Sequence, residues 1–179
     1  MLVVRYASCS GYLQAARYTI EVSDEHSFLL QRVQPAMVGL IDGSLSTLAP
    51  IFSVALISHK PFYAFIAGLA TSIGAGISMA FSEGLSDTGE LTGRGNPLVR
   101  GGITGLGTFI GGILHSLPFL IPHYRAALVT GFVVVGFELV ALAALRWRFF
   151  RTSFGTSLAA VSLAGAVIVA VSATLGATA

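Results

Sequence analysis

The sequence predicts an all-α, polytopic membrane protein with five transmembrane helices per protomer. Two observations carry this. Charged residues make up only 10% of the 179 positions while 54% are hydrophobic, and the mean hydropathy is +0.82. Soluble domains carry about 25% charged residues. The apolar residues also fall into five stretches, each close to the ~20 residues that cross ~30 Å of hydrocarbon. Six prolines and 21 glycines suit membrane helices, whose neighbours pack against exposed backbone.

Taken in order, residues 1–35 form a mixed polar leader, expected on the cytoplasmic side, in which 12–34 can make an amphipathic helix that Pro35 interrupts. Arg5 breaks the one apolar run at the start, so no secretory signal is expected there. The membrane-embedded region, 36–179, is expected to contain spans at 36–58, 62–82, 101–121, 126–145 and 154–178. A tight His59-Lys60-Pro61 turn joins the first two. Residues 83–100 form a Gly-, Asp- and Pro-containing loop, and 146–153 a basic one. The single cysteine, Cys9, excludes an intrachain disulfide framework and a cysteine-cluster metal site.

Arginine placement sets the expected orientation. Arg5, Arg17, Arg32, Arg94, Arg100, Arg146, Arg148 and Arg151 share one side, against Lys60 and Arg125 on the other. The positive-inside rule then puts the N-terminus in the cytoplasm and the C-terminus outside.

Polarity inside the spans follows helical spacing. In the first, Gly39, Asp42, Gly43, Ser46, Ala49, Pro50 and Ser53 recur at three- and four-residue steps. Gly68, Ser72, Gly76, Met79 and Glu83 do so in the second, and Gly101, Gly105, Thr108, Gly112 and His115 in the third. Ile66, Ile73, Ile77 and Phe81 are expected to face lipid. Close helix packing accounts for the glycines.

The acids need another explanation. An aspartate within a span costs about 2.5–3.5 kcal/mol on insertion scales, and Asp42 has no basic residue within a helical turn. At 1.5 Å per residue it lies about 9 Å into its span, and Glu138 about 12 Å into the fourth from the same side. Asp42, Met79, Glu83 and Glu138 are therefore expected at similar depths. Carboxylates suit hard divalent cations, and a thioether tilts the set toward Fe²⁺ over Mg²⁺ or Ca²⁺. Glu83 also fits an interfacial anion, and Glu138 a proton-bearing group bonded to a neighbouring helix. His115 fits either a hydrogen-bonded structural histidine or a proton relay. His59 and His123 read as surface turn residues, and Asp87 and Glu90 as solvated charges offset by Arg94 and Arg100.

Other chemistries find no footing. Residues 101–107 are glycine-rich but lack the GxGxxG spacing. No nucleophile–base pair points to an enzyme. The Arg146-Trp147-Arg148-Phe149-Phe150-Arg151 segment suits an anchor at anionic lipid rather than a nucleic-acid site.

Two motifs resemble a known family. Gly39-Leu40-Ile41-Asp42-Gly43 resembles the Asp-Gly signature in the first span of the vacuolar iron transporter family. Ser78-Met79-Ala80-Phe81-Ser82-Glu83 is similar to its Ser-Met-Ala-x-x-Glu at the end of the second. The segments 28–36, 91–95 and 115–118 resemble the bacterial branch in which a ferritin-like (erythrin) domain precedes the transporter.

The resemblance implies a homodimer in the bacterial inner membrane that exports Fe²⁺, or Mn²⁺, from the cytoplasm in exchange for protons. Asp42 and Met79 would then lie on the metal pathway at the dimer interface, with Glu83 at its entrance. Glu138 would hold a coupling proton or contribute to the metal path. The metal is cargo, and no cofactor is implied. The loop 83–100 is too short for the glutamate-rich metal-collecting domain of plant and fungal-type members, leaving a bare transport domain. The alternative is a non-transporting membrane subunit or truncated paralogue whose small-residue faces serve assembly.

Overall fold

The computed structural model describes residues 24–90 and 92–177, without the side chains of 173 and 175–177. Expectations for Arg5, Cys9 and Arg17, and for residues 1–23 of the leader, lie outside the described residues. The described residues are helical apart from short turns and the segment linking Gly84 to Pro97, with no strand among them. Five helices are long and apolar enough to cross a membrane. We label them α1 (Asp24–Ser58), α2 (Pro61–Gly84), α3 (Pro97–Ser116), α4 (Tyr124–Phe150) and α5 (Phe154–Ala177).

Pro35 does not end the first helix. A π turn over Leu29–Val33 precedes it, and the Gln34 N–H donates to the Leu29 carbonyl five residues back. Widening the helix by one residue accommodates the proline that lacks an N–H, so α1 starts well before the expected boundary at residue 36. A second irregularity falls at Thr47, between the α-helical segments Gln34–Ser46 and Leu48–Ser58. Pro50 has no N–H to give the Ser46 carbonyl, which weakens the helix there.

The remaining boundaries shift for local reasons. Asn96 caps α3, its side chain accepting from the N–H groups of Leu98 and Val99, so the helix begins at Pro97 rather than 101. A 3-10 turn, Leu117–Leu120, extends its far end. Most of the expected basic loop at 146–153 is helical, because α4 runs on to Phe150 and stops where Arg151 adopts φ 52°.

The most enclosed helix is α3, packed chiefly between α1 and α2. Glycines permit that approach. A Cβ on Gly39 or Gly43 would collide with the α3 backbone at Thr104 and Thr108. The second half of α1 packs against α2 and α5, and α4 lies against α5. Leu48, Ile51, Phe52 and Ala55 form one apolar core with Ala64, Phe119, Ala127 and Val135. Within it Phe52 meets Phe119 edge-on at 6.0 Å, and it also stacks on the half-exposed Phe132 at 4.7 Å. Ile66, Ile73, Ile77 and Phe81 lie on the outer face of α2, 45–66% exposed, where lipid is expected.

Candidate functional site

Helical geometry gives the two faces of α1 different tasks. Gly39 and Gly43 press against α3, which turns Asp42 and Ser46 the other way. Val38, Ile41, Asp42, Leu45 and Ser46 there line an open-sided groove of about 530 Å³ with Met79 of α2 and Ile168 of α5. Asp42 is half-buried, and its carboxylate has no hydrogen-bond or ion-pair partner among the described residues. The Ser46 hydroxyl instead donates to the Asp42 main-chain carbonyl at 2.6 Å. One unpaired carboxylate and one thioether thus share a largely apolar groove. This is the pair of groups a partly dehydrated divalent cation would use.

No cluster of three or more His, Cys, Asp or Glu groups that could hold a metal occurs among the described residues. Among the described residues the groove's candidate metal-binding side chains are one carboxylate and one thioether.

Glu83 lies elsewhere. Its Oε1 accepts from Arg100 Nε at 2.5 Å and from Arg94 Nη2 at 2.6 Å. Arg100 has no exposed surface. Its guanidinium also reaches Asp87 Oδ1 at 3.3 Å, the Glu83 carbonyl at 3.2 Å and the Ser86 hydroxyl at 3.1 Å. Asp87 completes the clasp through Arg94 at 3.2 Å. Partial desolvation pulls the Asp87 carboxyl upward. The Gly89 N–H, the Thr92 hydroxyl and the charges of Arg100 and Arg94 outweigh it, holding the carboxyl below its ordinary 3.8. Solvated loop charges were the expectation for Asp87 and Glu90, offset by Arg94 and Arg100. Glu90 is exposed, but Asp87 joins Glu83 and the two arginines in a partly buried network that ties the end of α2 to the start of α3.

Glu138 is also set apart from the groove. It is buried on α4, where the Ser44 hydroxyl meets Oε1 and His115 Nε2 lies 3.1 Å from Oε2. His115 Nδ1 is 3.1 Å from the Gly111 carbonyl. The four expected metal-path residues therefore occupy three places. Asp42 and Met79 share the groove, Glu83 belongs to the arginine clasp, and Glu138 pairs with His115.

The sequence reading missed Ser44 and the burial of Arg100. Three acids, Glu83, Asp87 and Glu90, and two arginines crowded into 83–100 were the available signal for the clasp. Ser44 had no signal of its own. His59 and His123 are exposed, as expected of turn residues, and the His59 ring lies 4.9 Å from that of Tyr124, tilted by 59°. No family model, curated protein or solved structure matches this chain.

Proposed function

We propose that this chain is a membrane carrier that exports a divalent transition metal, Fe²⁺ or Mn²⁺, from the cytoplasm in exchange for protons. The observation that supports it is the shared groove of Asp42 and Met79, in which the carboxylate has no internal partner. A carboxylate held within a span at a cost of about 2.5–3.5 kcal/mol needs a compensating ligand, and a cation is the simplest one. The thioether favours a transition metal over Mg²⁺ or Ca²⁺.

In this reading the working unit is a homodimer. Two copies facing each other across the groove would supply two carboxylates and two thioethers, a fuller shell than one chain provides. Arginine placement supports a cytoplasmic N-terminus and an external C-terminus. The motif resemblance supports residence in a bacterial inner membrane.

Metal uptake into proteoliposomes tests the proposal. Asp42→Ala is expected to abolish Fe²⁺ and Mn²⁺ movement while the protein keeps its wild-type elution on size exclusion. Full uptake by that variant would remove Asp42 from any central role.

A further inference from the structure

We infer that His115 and Glu138 share one exchangeable proton, forming a buried proton site separate from the Asp42 groove. Asp42, His115 and Glu138 are the acidic or imidazole groups within the spans 36–58, 62–82, 101–121, 126–145 and 154–178, and no Lys or Arg falls inside them. Two of these three meet. The His115 side chain is 1% exposed and that of Glu138 10%.

Hydrogen-bond chemistry constrains the pair. The Gly111 carbonyl can only accept, so Nδ1 of His115 carries a hydrogen. A neutral ring then presents a lone pair at Nε2, 3.1 Å from Glu138 Oε2. The contact is not aligned as a hydrogen bond, and neither atom has another hydrogen-bond partner. With no proton between them, two buried acceptors would face each other, leaving a carboxylate without its full complement of partners. One proton, on Oε2 or Nε2, turns this contact into a neutral or an ionic pair after a small rotation.

Ser44 is suited to follow that proton. Its hydroxyl lies within bonding distance of both the Leu40 carbonyl, at 2.7 Å, and Glu138 Oε1, yet it has one hydrogen to give. Oε1 carries no hydrogen in either state, so the hydroxyl can donate to it most strongly when Glu138 is ionised, or turn its hydrogen to the Leu40 carbonyl when the proton is on Oε2.

No other ionisable group among the described residues stands in for the proton. On α1 the nearest is Asp42, which lines the groove. In α2 the acid is Glu83, bound to its arginines, and α5 has no charged residue. Arg100 of α3 belongs to the clasp, about 22 Å along the helix from His115. Arg125 and Arg146 of α4 are about 20 Å and 12 Å along it from Glu138.

The role of this site in exchange rests on the transport reading above, whereas the shared proton does not. Ser44 lies two positions after Asp42, so α1 contacts the proton pair on one face and lines the metal groove on the other.

The first test uses the full chain in lipid nanodiscs and no metal. Infrared spectroscopy reads a protonated Glu138 carboxyl, assigned by its loss in Glu138→Gln, and nitrogen NMR reads the His115 ring. A protonated carboxyl or an imidazolium is expected at neutral pH. A neutral ring beside an ionised Glu138 would overturn the proposal. The second test follows proton counterflux during Mn²⁺ movement in proteoliposomes. Glu138→Gln is expected to lower it about tenfold or more while Mn²⁺ binding stays at the wild-type level, and unchanged counterflux would overturn the role in exchange. If Glu138→Gln does not fold, Ser44→Ala takes its place in both tests, with a displaced titration of the pair expected and an unchanged one counting against the site. Wild-type protein that moves no Mn²⁺ would refute the transport reading and, with it, the role in exchange; the spectroscopic test would still decide the shared proton.

Discussion

Arg100 Nε lies 2.5 Å from Glu83 Oε1, joining the first turn of α3 to the last turn of α2 through a guanidinium that solvent does not reach. Glu83 is thereby committed to a structural contact at the mouth of the α2–α3 hairpin. The wider clasp contains two acids, Glu83 and Asp87, and two arginines, Arg94 and Arg100, so its formal charges balance.

Removing the buried member should therefore cost more than a surface charge would. Arg100→Met is expected to destabilise the protein by about 3–5 kcal/mol, because it leaves Glu83 and Asp87 short of a partner. Arg100→Lys should restore only part of this, since an ammonium cannot reproduce the guanidinium's spread of contacts. Thermal unfolding in detergent measures both.

The same clasp should be sensitive to acid. Asp87 is held below its ordinary 3.8 in the folded protein. Its contribution is then fully present above about 3.8 and is lost as pH falls through the lower folded value. Melting temperature measured from pH 6 down to pH 3 should show this loss, and Asp87→Asn should flatten that part of the curve. A wild-type curve that falls only above pH 5 would contradict the assignment.

Gly39 and Gly43 set the spacing of α1 and α3. Gly43→Ala is expected to cost about 1–3 kcal/mol, since its Cβ would meet the Thr108 backbone, which cannot rotate away as a side chain can. Gly74→Ala is the control. Nothing lies within 4 Å of a Cβ there, so stability should hold or rise slightly. Equal losses in the two variants would show that the close approach is not what requires glycine.

Met79→Leu separates packing from metal chemistry in the groove. The swap approximately conserves apolar volume, so stability should change by less than about 1.5 kcal/mol. Fe²⁺ affinity is expected to fall about tenfold, or about 1.4 kcal/mol, with a smaller change for Mg²⁺. Equal effects on the two metals, measured by titration calorimetry, would remove the thioether from the site.

Much of the architecture was legible before any coordinates. Five apolar stretches of membrane length predict five helices, because a bilayer leaves a spanning backbone few ways to satisfy its hydrogen bonds. Three- and four-residue spacing likewise placed Gly105, Thr108, Gly112 and His115 on one face of α3, and all are buried. It placed Asp42 with Gly39 and Gly43 too, and there it was too coarse. Those glycines turn toward α3 while Asp42 turns into the groove, a division that depends on which neighbour occupies each side of α1.

What the chain order alone determined was local: helix type, length, and the small-residue stripes where backbones can approach. The partners of the charged groups were decided in three dimensions. Ser44 and Glu138 are 94 residues apart, and Arg100 is 17 from Glu83. Spacing along one helix reports its own faces, but a salt bridge or proton pair forms only where separate helices are brought side by side. That is why the sequence grouped Asp42, Met79, Glu83 and Glu138 by depth, while packing sorted them into a groove, a clasp and a buried pair.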